Sequence, residues 1–163
     1  MTSPRRLGID VGGTKCMAVA IDARGAVIDE QRRSTPKRPD ELIDTVAELA
    51  QAMMPWESIG VGMPGLVTRQ GVLRAAPNLV DINDLKVAEL LGERLACRVF
   101  VDSDATCAAA AEWKLGAGRG VDGAAGAAED DRGVAVGQPR PGRHGIGRRG
   151  VAGAFVDDLR PGD

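Results

Sequence analysis

Gly8-Ile9-Asp10-Val11-Gly12-Gly13-Thr14-Lys15 stands near the start of the chain, and Cys16-Met17-Ala18-Val19-Ala20-Ile21 follows it directly. An apolar strand runs into Asp-x-Gly-Gly-Thr-Lys and leaves as a second apolar strand. Two glycines in a tight hairpin let backbone N–H groups approach an anion, because no Cβ stands in the way. The Thr14 hydroxyl and the Lys15 ammonium add donors at the same place. Asp10 sits where a carboxylate would hold magnesium against a polyphosphate. The spacing is not that of the G-x-x-x-x-G-K-[ST] loop, and a strand rather than a helix follows. The alternative is an ordinary Gly-Gly turn between strands.

Working outward, residues 7–35 read as a three-stranded meander: Leu7–Val11, Lys15–Ile21 and Val27–Ser34, with Asp22-Ala23-Arg24-Gly25 as the second turn. Residues 40–54 carry Leu42, Ile43, Val46, Leu49, Ala50 and Met53 at helical spacing, and Pro55 stops the run. Ser58–Gly62 reads as a buried strand and Met63-Pro64-Gly65 as the turn at its end. Gly71–Ala76 reads as a short strand, and Pro77-Asn78-Leu79 as a loop. A helix is predicted over 84–95, with Asp84 as N-cap and Leu85, Ala88, Leu91 and Leu95 inward. Arg98–Val101 reads as a strand, and Ser103 or Asp104 opens an Ala-rich helix that Gly116 ends. Hairpin strands followed by alternating strands and helices imply an α/β domain with a mixed sheet.

Composition narrows the function classes. The chain has 163 residues and a formal net charge of -2, with no dense basic run, so no nucleic-acid footprint is expected. Aromatics make up 2% with no tyrosine, which argues against base stacking. Cys16, Cys97 and Cys107 are scattered, as reduced thiols are, with 97 and 107 expected as small buried apolar groups. No apolar stretch is long enough to span a bilayer, so no membrane partner is expected and the expected location is the cytoplasm. From Val121 the pattern changes: residues 121–163 hold no lysine, are rich in Gly, Ala, Arg and Pro, and show no helical or strand period. The only histidine, His144, falls there, as a solvent-exposed residue.

Four segments then agree in order and separation: Asp10–Lys15, Gly60-Val61-Gly62-Met63-Pro64-Gly65, Ala76-Pro77-Asn78-Leu79 and Asp102-Ser103-Asp104-Ala105-Thr106. Together they resemble the ROK family of glucokinase-type sugar kinases and sugar-responsive repressors. Glu112–Gly120 is similar to that family's domain junction. The resemblance covers residues 7–120. It implies the first domain of an actin/hexokinase-like (ribonuclease H-like) ATPase, spanning 1–120, with 121–163 an irregular or disordered tail.

By resemblance, Gly12, Gly13, Thr14 and Lys15 would hold ATP phosphates, with Asp10 serving the nucleotide's Mg2+. Gly65, Asn78, Ser103 and Asp104 would meet a small-molecule sugar, and Asp104 would be the general base. Residue chemistry alone leaves Asp104 open as a helix N-cap and Asn78 open as a turn residue. The usual pattern has Asn where this chain has Ser103. The second-domain phosphate loop, the sugar-binding His motif and the Cys-rich zinc loop have no counterpart in 121–163, so the family's structural zinc is not expected. A one-base shift through 123–132 permits an apolar strand entering a Thr-x-Gly turn, so a frameshifted or decayed continuation is the expectation. The reading is therefore a truncated sugar kinase without activity of its own. The alternatives are a non-catalytic remnant that binds sugar weakly and, less favoured with nine residues before Asp10, a repressor. Family members are often homo-oligomeric; the state of this chain is left open.

Overall fold

The computed structural model describes residues 5–77, 79 and 82–107. The elements run β1 (Arg6–Val11), β2 (Lys15–Ile21), β3 (Val27–Ser34), α1 (Pro39–Ala52), β4 (Ser58–Met63), β5 (Leu66–Val67), β6 (Leu73–Ala75), α2 (Val87–Leu95) and β7 (Val99–Ser103). Five strands form one sheet in the order β3-β2-β1-β4-β7, and β5 pairs with β6 apart from it. β1–β2 and β2–β3 are antiparallel, as hairpins require. β1–β4 and β4–β7 are parallel, as strands joined through helical crossovers must be. This mixed sheet is the expected actin/hexokinase-like arrangement.

Alternation along each strand sorts the two faces. Leu7, Ile9 and Val11 of β1, Cys16, Ala18 and Ala20 of β2, and Ile59, Val61 and Met63 of β4 share one core with Leu42, Ile43, Val46 and Leu49 of α1 and with Val87 and Leu91 of α2. Both helices therefore cover one face. Met17, Val19 and Ile21 form a second buried cluster on the other face, with Phe100 against it. Between them β1 and β4 place Gly8 opposite Gly60. That leaves a strip of bare backbone leading to Asp10.

The first three strands lie where the pattern puts them, and the second turn is built by one carboxylate. Asp22 Oδ1 accepts from the N–H of Arg24 at 2.8 Å and of Ala26 at 2.9 Å. The helix predicted over 40–54 runs from Pro39, at its first turn, to Ala52. The helix predicted from Asp84 begins only at Val87, with Lys86 before it. Leu85 exchanges two backbone hydrogen bonds with Leu73, at 2.8 and 3.0 Å, which holds it extended. Asp84 is not the N-cap: it sits at φ 49 and its carboxylate faces Arg74 at 3.4 Å. Ala88 and Leu95 are half-buried, and of the residues expected inward only Leu91 is fully so. The last strand runs two residues beyond its predicted end, to Ser103. Cys107 is buried as expected, but Cys97 is only half-buried. The expected helix end at Gly116, the junction 112–120, the tail 121–163 and His144 lie outside the described residues.

Candidate phosphate and sugar site

β1 and β2 meet at the hairpin. The Gly12 N–H donates to the Lys15 carbonyl at 2.9 Å, closing a loop of Gly12, Gly13 and Thr14. Neither Gly12 nor Gly13 takes a positive φ. The turn therefore does not require glycine, and what the pair adds is unobstructed backbone. The side chains of Thr14 and Lys15 are exposed.

One row across the sheet carries the acidic groups. Asp10 lies opposite Gly62, and Gly62 lies opposite Asp102. A Cβ placed on Gly62 would lie 3.5 Å from Cys107 Sγ, 3.8 Å from Asp104 Cα and 3.9 Å from Asp10 Oδ1. Asp10 and Asp104 thus flank one point, at the C-terminal ends of parallel β1, β4 and β7, where open α/β sheets hold ligands. Asp102 is the member of this row that sequence reasoning did not single out. Its signal was its place two residues before Asp104 in an extended segment, which puts it on the same face as Asp10 once the register is known.

Helical backbone starts at Asp104. The cap is Ser103, whose Oγ accepts from the Thr106 N–H at 3.1 Å and meets Thr106 Oγ1 at 2.8 Å. Asp104 Oδ1 only accepts from the adjacent Ala105 N–H at 2.8 Å. The capping alternative for Asp104 thus passes to its neighbour, and the Ser103 hydroxyl expected to meet sugar is engaged in the cap.

Gly65 has its own structural reason. Its φ is 109, and a Cβ there would fall 2.0 Å from the Ala75 carbonyl oxygen. Asn78 lies outside the described residues.

Burial pushes the Cys107 thiol far above its ordinary range, and the charges of Asp102, Asp10 and Asp104 push it further. It is a neutral apolar wall to the site rather than a nucleophile. Among the described residues, no three His, Cys, Asp or Glu side chains gather to hold a metal ion. The few carboxylates beside the hairpin suit a magnesium ion that arrives on a polyphosphate, which supplies most of its oxygen ligands. Among those residues no helix is long and apolar enough to cross a membrane.

A profile of the ROK family matches residues 6–155. The glucokinase of Streptomyces coelicolor is 32% identical over 118 residues, covering 70% of this chain and 37% of that enzyme. The N-acetylgalactosamine kinase AgaK of a Shewanella species is 30% identical over 118 residues, 69% of this chain and 38% of that one. The crystal structure of a ROK glucokinase from Streptomyces griseus, in complex with glucose and AMPPNP, superposes with a TM-score of 0.66 at 29% identity, over 72% of this chain and 39% of that one. The chain thus spans about two fifths of the length of these relatives. With its sheet order, its glycine hairpin and its match over most of its length, the chain belongs to the ROK family.

Proposed function

We propose that residues 1–120 are the first domain of an ATP-dependent kinase that phosphorylates a sugar hydroxyl, of the glucokinase type. The observation that carries this is the convergence of Asp10 and Asp104 on Gly62, beside the glycine hairpin, with the helix cap taken by Ser103. In this reading the Gly12–Lys15 hairpin holds the terminal phosphates, and Asp10 faces the magnesium they carry. That ion would neutralise phosphate charge. Asp104 accepts the proton of the attacking hydroxyl, the one positioned base that phosphoryl transfer needs. Gly65 and Asn78 belong to the sugar side. Relatives named for glucose and for N-acetylgalactosamine match 70% and 69% of this chain, which supports a hexose or an N-acetylhexosamine as the sugar class.

The test joins residues 6–120 to the remaining length of the S. coelicolor glucokinase and measures ADP release with glucose, mannose and N-acetylglucosamine. Asp104→Asn should lower kcat at least about a hundredfold while glucose affinity stays within about tenfold. Unchanged kcat would reduce Asp104 to a structural residue. The 163-residue polypeptide alone should release no sugar-dependent ADP, because catalysis by positioning and charge needs groups from both sides of the substrate. Sugar-dependent turnover by that polypeptide would sink this part of the reading.

A further inference from the structure

Thr35 is the first residue after β3, far from the hairpin in sequence, yet it holds the hairpin twice. Its hydroxyl donates to the Gly12 carbonyl at 2.7 Å. Its N–H donates to the Thr14 carbonyl at 3.0 Å. The same hydroxyl lies 3.5 Å from Cys16 Sγ. A hydroxyl has one proton, and Gly12 takes it, so the thiol is the donor in that contact. Cys16 is fully buried and its pKa is raised by that burial, which keeps the proton in place.

We infer that Thr35 is a positioning residue that sets the shape of the hairpin through the relay Cys16 S–H to Thr35 O–H to Gly12 C=O. The inference rests on the reading of the hairpin as a phosphate cradle. A trans peptide is planar, with C=O and the next N–H pointing opposite ways. Drawing the Gly12 carbonyl toward Thr35 therefore turns the Gly13 N–H to the other side, outward from β3. Two adjacent glycines would otherwise sample many peptide orientations. The Thr14 bond fixes the far side of the loop to the same anchor. The donors of the cradle are thus aimed before any anion arrives, and the ordering cost of binding falls.

The test uses the 163-residue chain, with amide hydrogen exchange followed by NMR and Mg-ATP titrated against the Gly13 amide shift. The Gly12 amide, bonded to Lys15, reads hairpin closure, and the amides of α1 serve as an internal control. In Thr35→Val the Gly12 amide should exchange about tenfold faster, and Mg-ATP affinity should fall about five- to tenfold, the weight of one net hydrogen bond. Thr35→Ser keeps both bonds and should match the unaltered protein within about twofold. Unchanged Gly12 exchange in Thr35→Val overturns the inference. So does accelerated exchange in Thr35→Ser, a result that stays readable even where the valine variant unfolds and α1 exchanges with it. If the unaltered chain shows no Gly13 shift with Mg-ATP while Gly12 exchange still depends on the Thr35 hydroxyl, the clamp stands and the phosphate reading falls.

Discussion

Gly62 and Gly65 lie three residues apart and lack a side chain for different reasons. A methyl at Gly62 meets only ordinary van der Waals neighbours, the nearest being Cys107 Sγ at 3.5 Å. A methyl at Gly65 would collide with the Ala75 carbonyl, on a backbone at φ 109 that alanine resists. Gly65→Ala should therefore destabilise the fold by more than about 1 kcal/mol, measured by chemical denaturation. Gly62→Ala should change stability by less than about 1 kcal/mol. It nonetheless sets a methyl between Asp10 and Asp104, so Mg-ATP affinity should fall in the same protein. A Gly62→Ala protein that binds Mg-ATP normally would separate that point from the site. Asp102, unremarkable in the sequence, becomes visible only at this scale, as the second carboxylate on the row of Asp10 and Gly62.

Among the elements, α2 shows where local pattern and tertiary contact part. Its hydrophobic spacing was legible, but its start was not. The bridge between Leu73 and Leu85 keeps the chain extended until Lys86, overriding the capping preference of Asp84. The end of α2 is set by Ala96 in the left-handed region, at φ 52, from which its N–H donates to the Gly92 carbonyl; glycine would adopt this conformation at lower cost. Ala96→Gly should stabilise the protein by about 0.5–1 kcal/mol. A lower melting temperature in that variant would show that Ala96 is held there by packing. At the end of α1, the Trp56 indole N–H donates to the Ala50 carbonyl at 2.8 Å, tying the helix to the entry of β4.

For the whole molecule, burial of the thiols couples stability to alkaline pH. Cys16 and Cys107 both have pKa values raised chiefly by burial. In the unfolded chain such thiols ionise near their ordinary value of about 8.5. Above that pH the unfolded chain binds fewer protons than the folded one, so stability falls as pH rises. Below it both states are protonated and the effect vanishes. Each buried thiol should contribute a loss of up to about 1.4 kcal/mol per pH unit. Denaturation in reductant at pH 7.5 and 9.5 measures this, and Cys107→Ala should show a shallower fall. Equal slopes in the two proteins would mean that Cys107 ionises in the folded state.

The strands of the five-stranded sheet, the glycine hairpin and the presence of two helices were legible in the residues alone, because period-2 and period-3.6 patterns and turn residues act over a few neighbours; β5 and the start of α2 were not, and the family was legible only through the resemblance of four ordered motifs. It also marked Asp10 and Asp104 as chemically apt. Folding was needed to bring Asp10 and the Cα of Asp104 together at Gly62, to give Ser103 rather than Asp104 the cap of the helical turn that opens at Asp104, and to seat Thr35 against the hairpin. Those facts depend on sheet register and on hydrogen bonds between residues distant in the chain. Register is fixed when the helices cover one face and the strands align to bury it, a choice that no short stretch of residues contains.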